Sequence, residues 1–138
     1  MKNVLLWLLL SGCASSNVAR ETARSVVLTV AEAAKVADST CARLALSTFA
    51  LDESKRERAK ALAVTCADAY DVARPAIIAA AEGVDAWDSG SRKGVVCGLA
   101  KASPALLSMA GAIRAAGGKL PLVVEDGLRM INALGGCQ

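Results

Sequence analysis

Apolar residues recur every three or four positions along two long stretches of this chain, with one break between them. In the first, Val26, Val30, Ala33, Ala37, Cys41, Leu44 and Thr48 fall on one face of a helix, while Arg24, Glu32, Lys35 and Arg43 fall largely elsewhere. In the second, the stripe is Ala59, Leu62, Cys66, Ala69, Ala73, Ile77, Ala80, Val84 and Trp87. That period belongs to amphipathic helices, and the spacing predicts one helix over Val18–Ala50 and another starting at Ser54. Leu51-Asp52-Glu53 breaks the pattern between them. Ser54 and Glu57 stand as in a capping box, the Ser54 hydroxyl accepting from the Glu57 backbone N–H while Glu57 reaches back. Pro75 lies inside the second helix and is expected to kink it.

Asp88-Ser89-Gly90-Ser91 closes that helix. A third helical stretch covers Arg92–Ala116, either as one bent helix or as two, since Ser103-Pro104 suits a restart. Gly117-Gly118 is a stop signal. Pro121 opens a shorter fourth helix through Leu134, and Gly135-Gly136 ends it. Short connections make successive helices antiparallel neighbours. The expected fold is all-α, an up-down bundle of about four helices forming a single domain over residues 18–138.

The opening stretch reads differently. Lys2 precedes an apolar run from Val4 to Leu10, far shorter than the roughly 20 residues of a bilayer span. A basic residue, a short apolar block and then small residues is the layout of a signal peptide. Leu10-Ser11-Gly12-Cys13 resembles the lipobox of bacterial lipoproteins. The resemblance covers only the first 13 residues. It implies cleavage after residue 12, acylation of Cys13, and a short lipidated tether over residues 13–17. Acyl chains contribute about 0.8 kcal/mol per buried CH₂, so the implied partner is the lipid bilayer, reached through Cys13. Ala14 follows the cysteine, and the absence of Asp there favours the outer membrane under the sorting rule of that family.

With Cys13 set aside, Cys41, Cys66, Cys97 and Cys137 remain, and an even number in an exported domain suggests two disulfides. The helical reading selects among the three pairings. In an antiparallel hairpin, residues equidistant from the turn sit at one height. Cys41 and Cys66 are centred on the first break, and Cys97 and Cys137 on Gly117. A Cys66–Cys97 bridge fails, because Cys66 stands about 33 Å from the Asp88 turn and Cys97 only about 8 Å, whereas bridged Cα atoms lie within about 7 Å. The expected disulfides are Cys41–Cys66 and Cys97–Cys137. They would tie together a domain whose apolar content of 54% is carried largely by alanine, with 3% aromatics.

Chemistry is sparsely signalled. The chain has no histidine, which removes the commonest general base and metal ligand. No Cys-x-x-Cys occurs, and Gly94, Gly98 and Gly111 are isolated within helical context, where they suit close helix approach rather than a phosphate loop. Asp68 with Asp71, and Glu82 with Asp85 and Asp88, read as a solvated stripe rather than a cation site. Tyr70, Arg74 and Trp87 are the other recognition candidates, Arg74 within reach of Asp71 or Asp68. The cluster from Asp52 to Lys60 mixes both signs, so it reads as a solvated helix start rather than a nucleic-acid patch. No catalytic, cofactor or metal residue is nominated.

The expectation is a non-enzymatic lipoprotein facing the periplasm, acting as a structural or binding module on a neighbouring envelope protein. The alternative is a phage or mobile-element lipoprotein acting in lysis or superinfection exclusion. Small size and a minimal lipobox motivate it, although three prolines and a helical pattern do not suit an extended spanin subunit.

Overall fold

Among the described residues four helices follow one another: α1 (Ser16–Phe49), α2 (Glu53–Asp85), α3 (Ser91–Ala115) and α4 (Leu122–Ala133). The computed structural model describes residues 16–50, 52–87, 91–135 and 137. The expected signal peptide and Cys13 lie outside the described residues, as does Asp88. The helices form the expected up-down bundle stapled by disulfides. α2 packs most extensively against α3 and α1, while α4 lies mainly along α1.

The predicted face of α2 is the buried one. Ala59, Leu62, Cys66, Ala69, Ala73, Ile77, Ala80 and Val84 are all buried, and Trp87 is half-buried. Along α1 the predicted stripe is buried from Val26 to Cys41, while its Leu44 and Thr48 are half-buried; because α1 touches all three other helices, Ala23, Val27, Ala34 and Ala45 are buried as well. Twelve of the 29 buried apolar residues described are alanine, and the bulk comes from α3, whose Leu99, Leu106, Met109 and Ile113 are almost fully enclosed. That explains why α3, over Arg92–Ala115, is the one described helix long and apolar enough to cross a membrane. It is a core helix of the bundle.

Small residues set the helix spacing. A Cβ on Gly98 would stand 3.1 Å from the Ala76 carbonyl oxygen and 3.1 Å from the Ala80 Cβ. One on Gly127 would stand 2.5 Å from the Ala33 Cβ. Gly98 thus performs the expected role of close approach. Gly94 and Gly111 do not, since a Cβ on either meets nothing within 4 Å.

Helix ends depart from expectation at several points. Asp52, not Ser54, caps α2: its extended backbone (φ −162°, ψ 170°) precedes Glu53, and its carboxylate accepts from the Lys55 N–H at 2.9 Å. The Ser54 hydroxyl donates to that carboxylate at 2.7 Å, and Glu57 pairs with Lys60 at 2.9 Å. An ionised carboxylate beside the helix N-terminus is favoured over a hydroxyl because it also meets the positive end of the macrodipole. Neither Pro75 nor Pro104 interrupts its helix. Pro75 is exposed, as is Asp71, whose carbonyl loses its partner at i+4 on a side open to solvent. The described residues are already helical at Ser16, within the expected tether. Gly117 terminates α3 as predicted: at φ +79° its N–H donates to the Arg114 carbonyl, and the Gly118 N–H donates to that of Ile113, both at 2.9 Å.

Both disulfides form as paired above. Cys41–Cys66 joins α1 to α2 with Cα atoms 6.3 Å apart. Cys97–Cys137 joins α3 to the residues after α4 with Cα atoms 4.7 Å apart. The first is buried and the second lies near the surface, with Cys137 exposed.

Candidate functional site

The two ends of the bundle differ. At the end where α1 begins, Arg20 of α1 donates from Nε to the Val84 carbonyl at 3.1 Å and from its guanidinium to the Asp85 carbonyl at 3.4 Å. Arg24 adds an ion pair to the Asp85 carboxylate at 3.6 Å. The last carbonyls of α2 have no partner within their own helix, and α2 carries no basic residue in its last turn. Arg20 supplies both the donor and the compensating charge from the neighbouring helix.

The far end carries two grooves. α2 begins there with Lys55 and Arg58 on the same side as its buried stripe. They line a groove of about 530 Å³ together with Ala59, Leu62, Ala112 and Ala116 among others. A second groove of about 360 Å³ runs along the α1–α2 seam, lined by Ala42, Leu46, Phe49, Lys60 and Ala63 among others. Its end is marked by the Arg56 guanidinium, 5.4 Å from the centre of the Phe49 ring, a cation–π distance. Leu46 is 72% exposed. Both grooves are lined mainly by apolar side chains, with Lys55 and Arg58 in the first and Lys60 in the second. The Asp52 carboxyl at this end is held below the ordinary carboxylate range, chiefly by the Ser54 hydroxyl and then by the Lys55 backbone N–H.

The outer face of α2 gathers several recognition candidates. Asp68, Asp71, Arg74 and Glu82 are all exposed along it. No ion pair joins Arg74 to Asp68 or Asp71 among the described residues. Their carboxylates are not clustered: among the described residues no group of three or more His, Cys, Asp or Glu is placed to hold a metal ion. Tyr70 and Trp87 are half-buried at the core edge.

The 52–60 cluster is a solvated helix start as expected, exposed throughout except for Ala59, but that reading did not single out Lys55 and Arg58 as groove residues. The available signal was register. Lys55 and Arg58 continue the three-four line into Leu62, so they lie on the inward flank where α2 begins. Compared with known proteins, the chain matches no family model, no curated protein and no solved structure.

Proposed function

We propose that the chain is a lipid-anchored envelope protein whose stapled bundle faces the periplasm and serves as a non-enzymatic binding or structural module. The observation that carries this reading is the pairing of all four described cysteines into two disulfides between distant parts of the chain. Such bonds persist in oxidising compartments and are rare in a reducing cytosol. Leu10-Ser11-Gly12-Cys13 supplies the matching address. The described part of α1 reaches back to Ser16, three residues from Cys13 in the sequence, so an acylated Cys13 would hold the bundle close to its anchor. The bundle would then lie against the bilayer, with the end that carries the Lys55–Arg58 groove away from the anchor and available to an envelope partner. Ala14 favours the outer membrane.

The test is an intact mass of the protein taken from membranes, with and without reduction before thiol alkylation. The reading expects a chain starting at Cys13 with added acyl mass, and four alkylatable thiols only after reduction. A full-length, unacylated chain with free thiols overturns it.

A further inference from the structure

We propose that two copies of this protein associate through the outer face of α2, antiparallel and related by a twofold axis at Asp71. This pairing does not depend on the lipid anchor.

Beyond the Asp52 cap and Glu53 at its N-terminus, the charges of α2 run the wrong way for a solitary helix. Residues 53–60 hold four basic and two acidic side chains, whereas residues 68–85 hold four acidic and one basic. Cations near a helix N-terminus and anions near its C-terminus oppose the macrodipole. Arg20 must reach over from α1 to cap the acidic end. An antiparallel copy removes the conflict, because it sets the basic half of each α2 against the acidic half of the other.

The match holds residue by residue. Counted outward from Asp71, Asp68 and Arg74 are each three positions away, Val64 and Ile78 seven, and Lys60 and Glu82 eleven. Under a twofold axis at Asp71, residues equidistant from it face each other across the two copies. Asp68 then meets Arg74, Val64 meets Ile78, and Lys60 meets Glu82, each twice. All six are exposed, and they lie on the side of the helix opposite the buried stripe. Val64 is 58% and Ile78 47% exposed, so an apolar pair sits between each pair of ion pairs. Alanine at 63, 67 and 79 lets the backbones come close. The Lys60–Glu57 pair inside one chain is an exposed i,i+3 contact, worth only a few tenths of a kcal/mol, and does not hold Lys60 back. The two Asp71 carboxylates share the axis, and each lies within one turn of the partner's Arg74.

One helix pair of this length buries less than a standard interface of about 1,600 Å², so the dimer is weak and sensitive to salt. If both chains are also anchored through Cys13, the twofold axis stands normal to the bilayer and the helices lie along it.

The test uses the full purified chain, its association followed by analytical ultracentrifugation and by a zero-length carboxyl–amine crosslinker. Lys60 and Glu82 lie about 33 Å apart along one helix, so a crosslink between them forms only between copies. The expected result is a concentration-dependent dimer carrying the Lys60–Glu82 crosslink, lost at 500 mM salt. Lys60→Glu weakens the dimer by about tenfold or more through two repulsive contacts. Adding Glu82→Lys to it restores association, and Asp71→Asn tightens it. Circular dichroism checks that each exposed variant folds. A chain that stays monomeric to 100 μM, or a dimer crosslinked elsewhere and indifferent to the charge swap, overturns the proposal.

Discussion

Gly127 and Gly111 are both helical glycines, yet the structure gives their replacement opposite signs. A Cβ at 127 would press on the Ala33 Cβ at 2.5 Å, so α4 would have to lift from α1. Gly127→Ala is expected to destabilise by about 1–3 kcal/mol through overpacking. Gly111 faces open space, and Gly111→Ala should stabilise by about 0.5–1 kcal/mol by restricting the unfolded chain. Urea denaturation of the two variants checks both signs. Asp52 gives a pH signature. Its folded-state pKa is lowered by the Ser54 hydroxyl and the Lys55 N–H, so its stabilising charge is fully present above its unfolded value near about 3.9. That contribution fades as pH falls through the lower folded value. Asp52→Asn keeps an acceptor but not the charge. Its melting temperature should fall below that of the parent chain at neutral pH and converge with it in strong acid. A thermal-melt series from pH 7 to pH 2 measures this. No sequence rule separates the two glycines, since each is simply a glycine in helical context; what differs is the neighbour each one meets.

Among the elements, α2 was read most completely from sequence, and the reason is geometric. It sits in the bundle with one face inward, so one three-four stripe describes it. α1 touches three helices, and a single stripe could name only part of its buried surface. The cysteine pairing was legible because each pair is symmetric about a turn that local signals place independently. Removing Cys41–Cys66, which closes 25 residues, is expected to cost about 3.5 kcal/mol, and removing Cys97–Cys137, which closes 40, about 4 kcal/mol in the chain-entropy model. Denaturation of the two double-alanine variants tests the order and the size. Arg20→Ala should leave the fold intact but unlatch the end of α2, at a cost of about 1 kcal/mol. Hydrogen exchange at Val84–Ala86 should rise in that variant, while exchange at Leu62 and Cys66 stays unchanged. No local signal marks Arg20 as a cap for residues 64 positions away.

For the whole molecule, a core in which alanine is the commonest residue buries little area per residue, so the two covalent ties carry a large share of a typical stability of about 5–15 kcal/mol. The chain beginning at residue 13 should therefore fold poorly when made in a reducing cytosol and well when exported to an oxidising compartment. Far-UV circular dichroism and protease resistance of the two preparations test this. By itself the sequence determined the all-α bundle, the inward face of α2, the stop at Gly117 and both disulfide pairs, because each is written in local periodicity or in distance from a turn. Only the tertiary structure decided which carboxylate caps α2, which glycines are crowded, and that Lys55 and Arg58 line a groove. Those depend on where another helix begins, ends or leaves room, and no local pattern in a chain records the position of its neighbours.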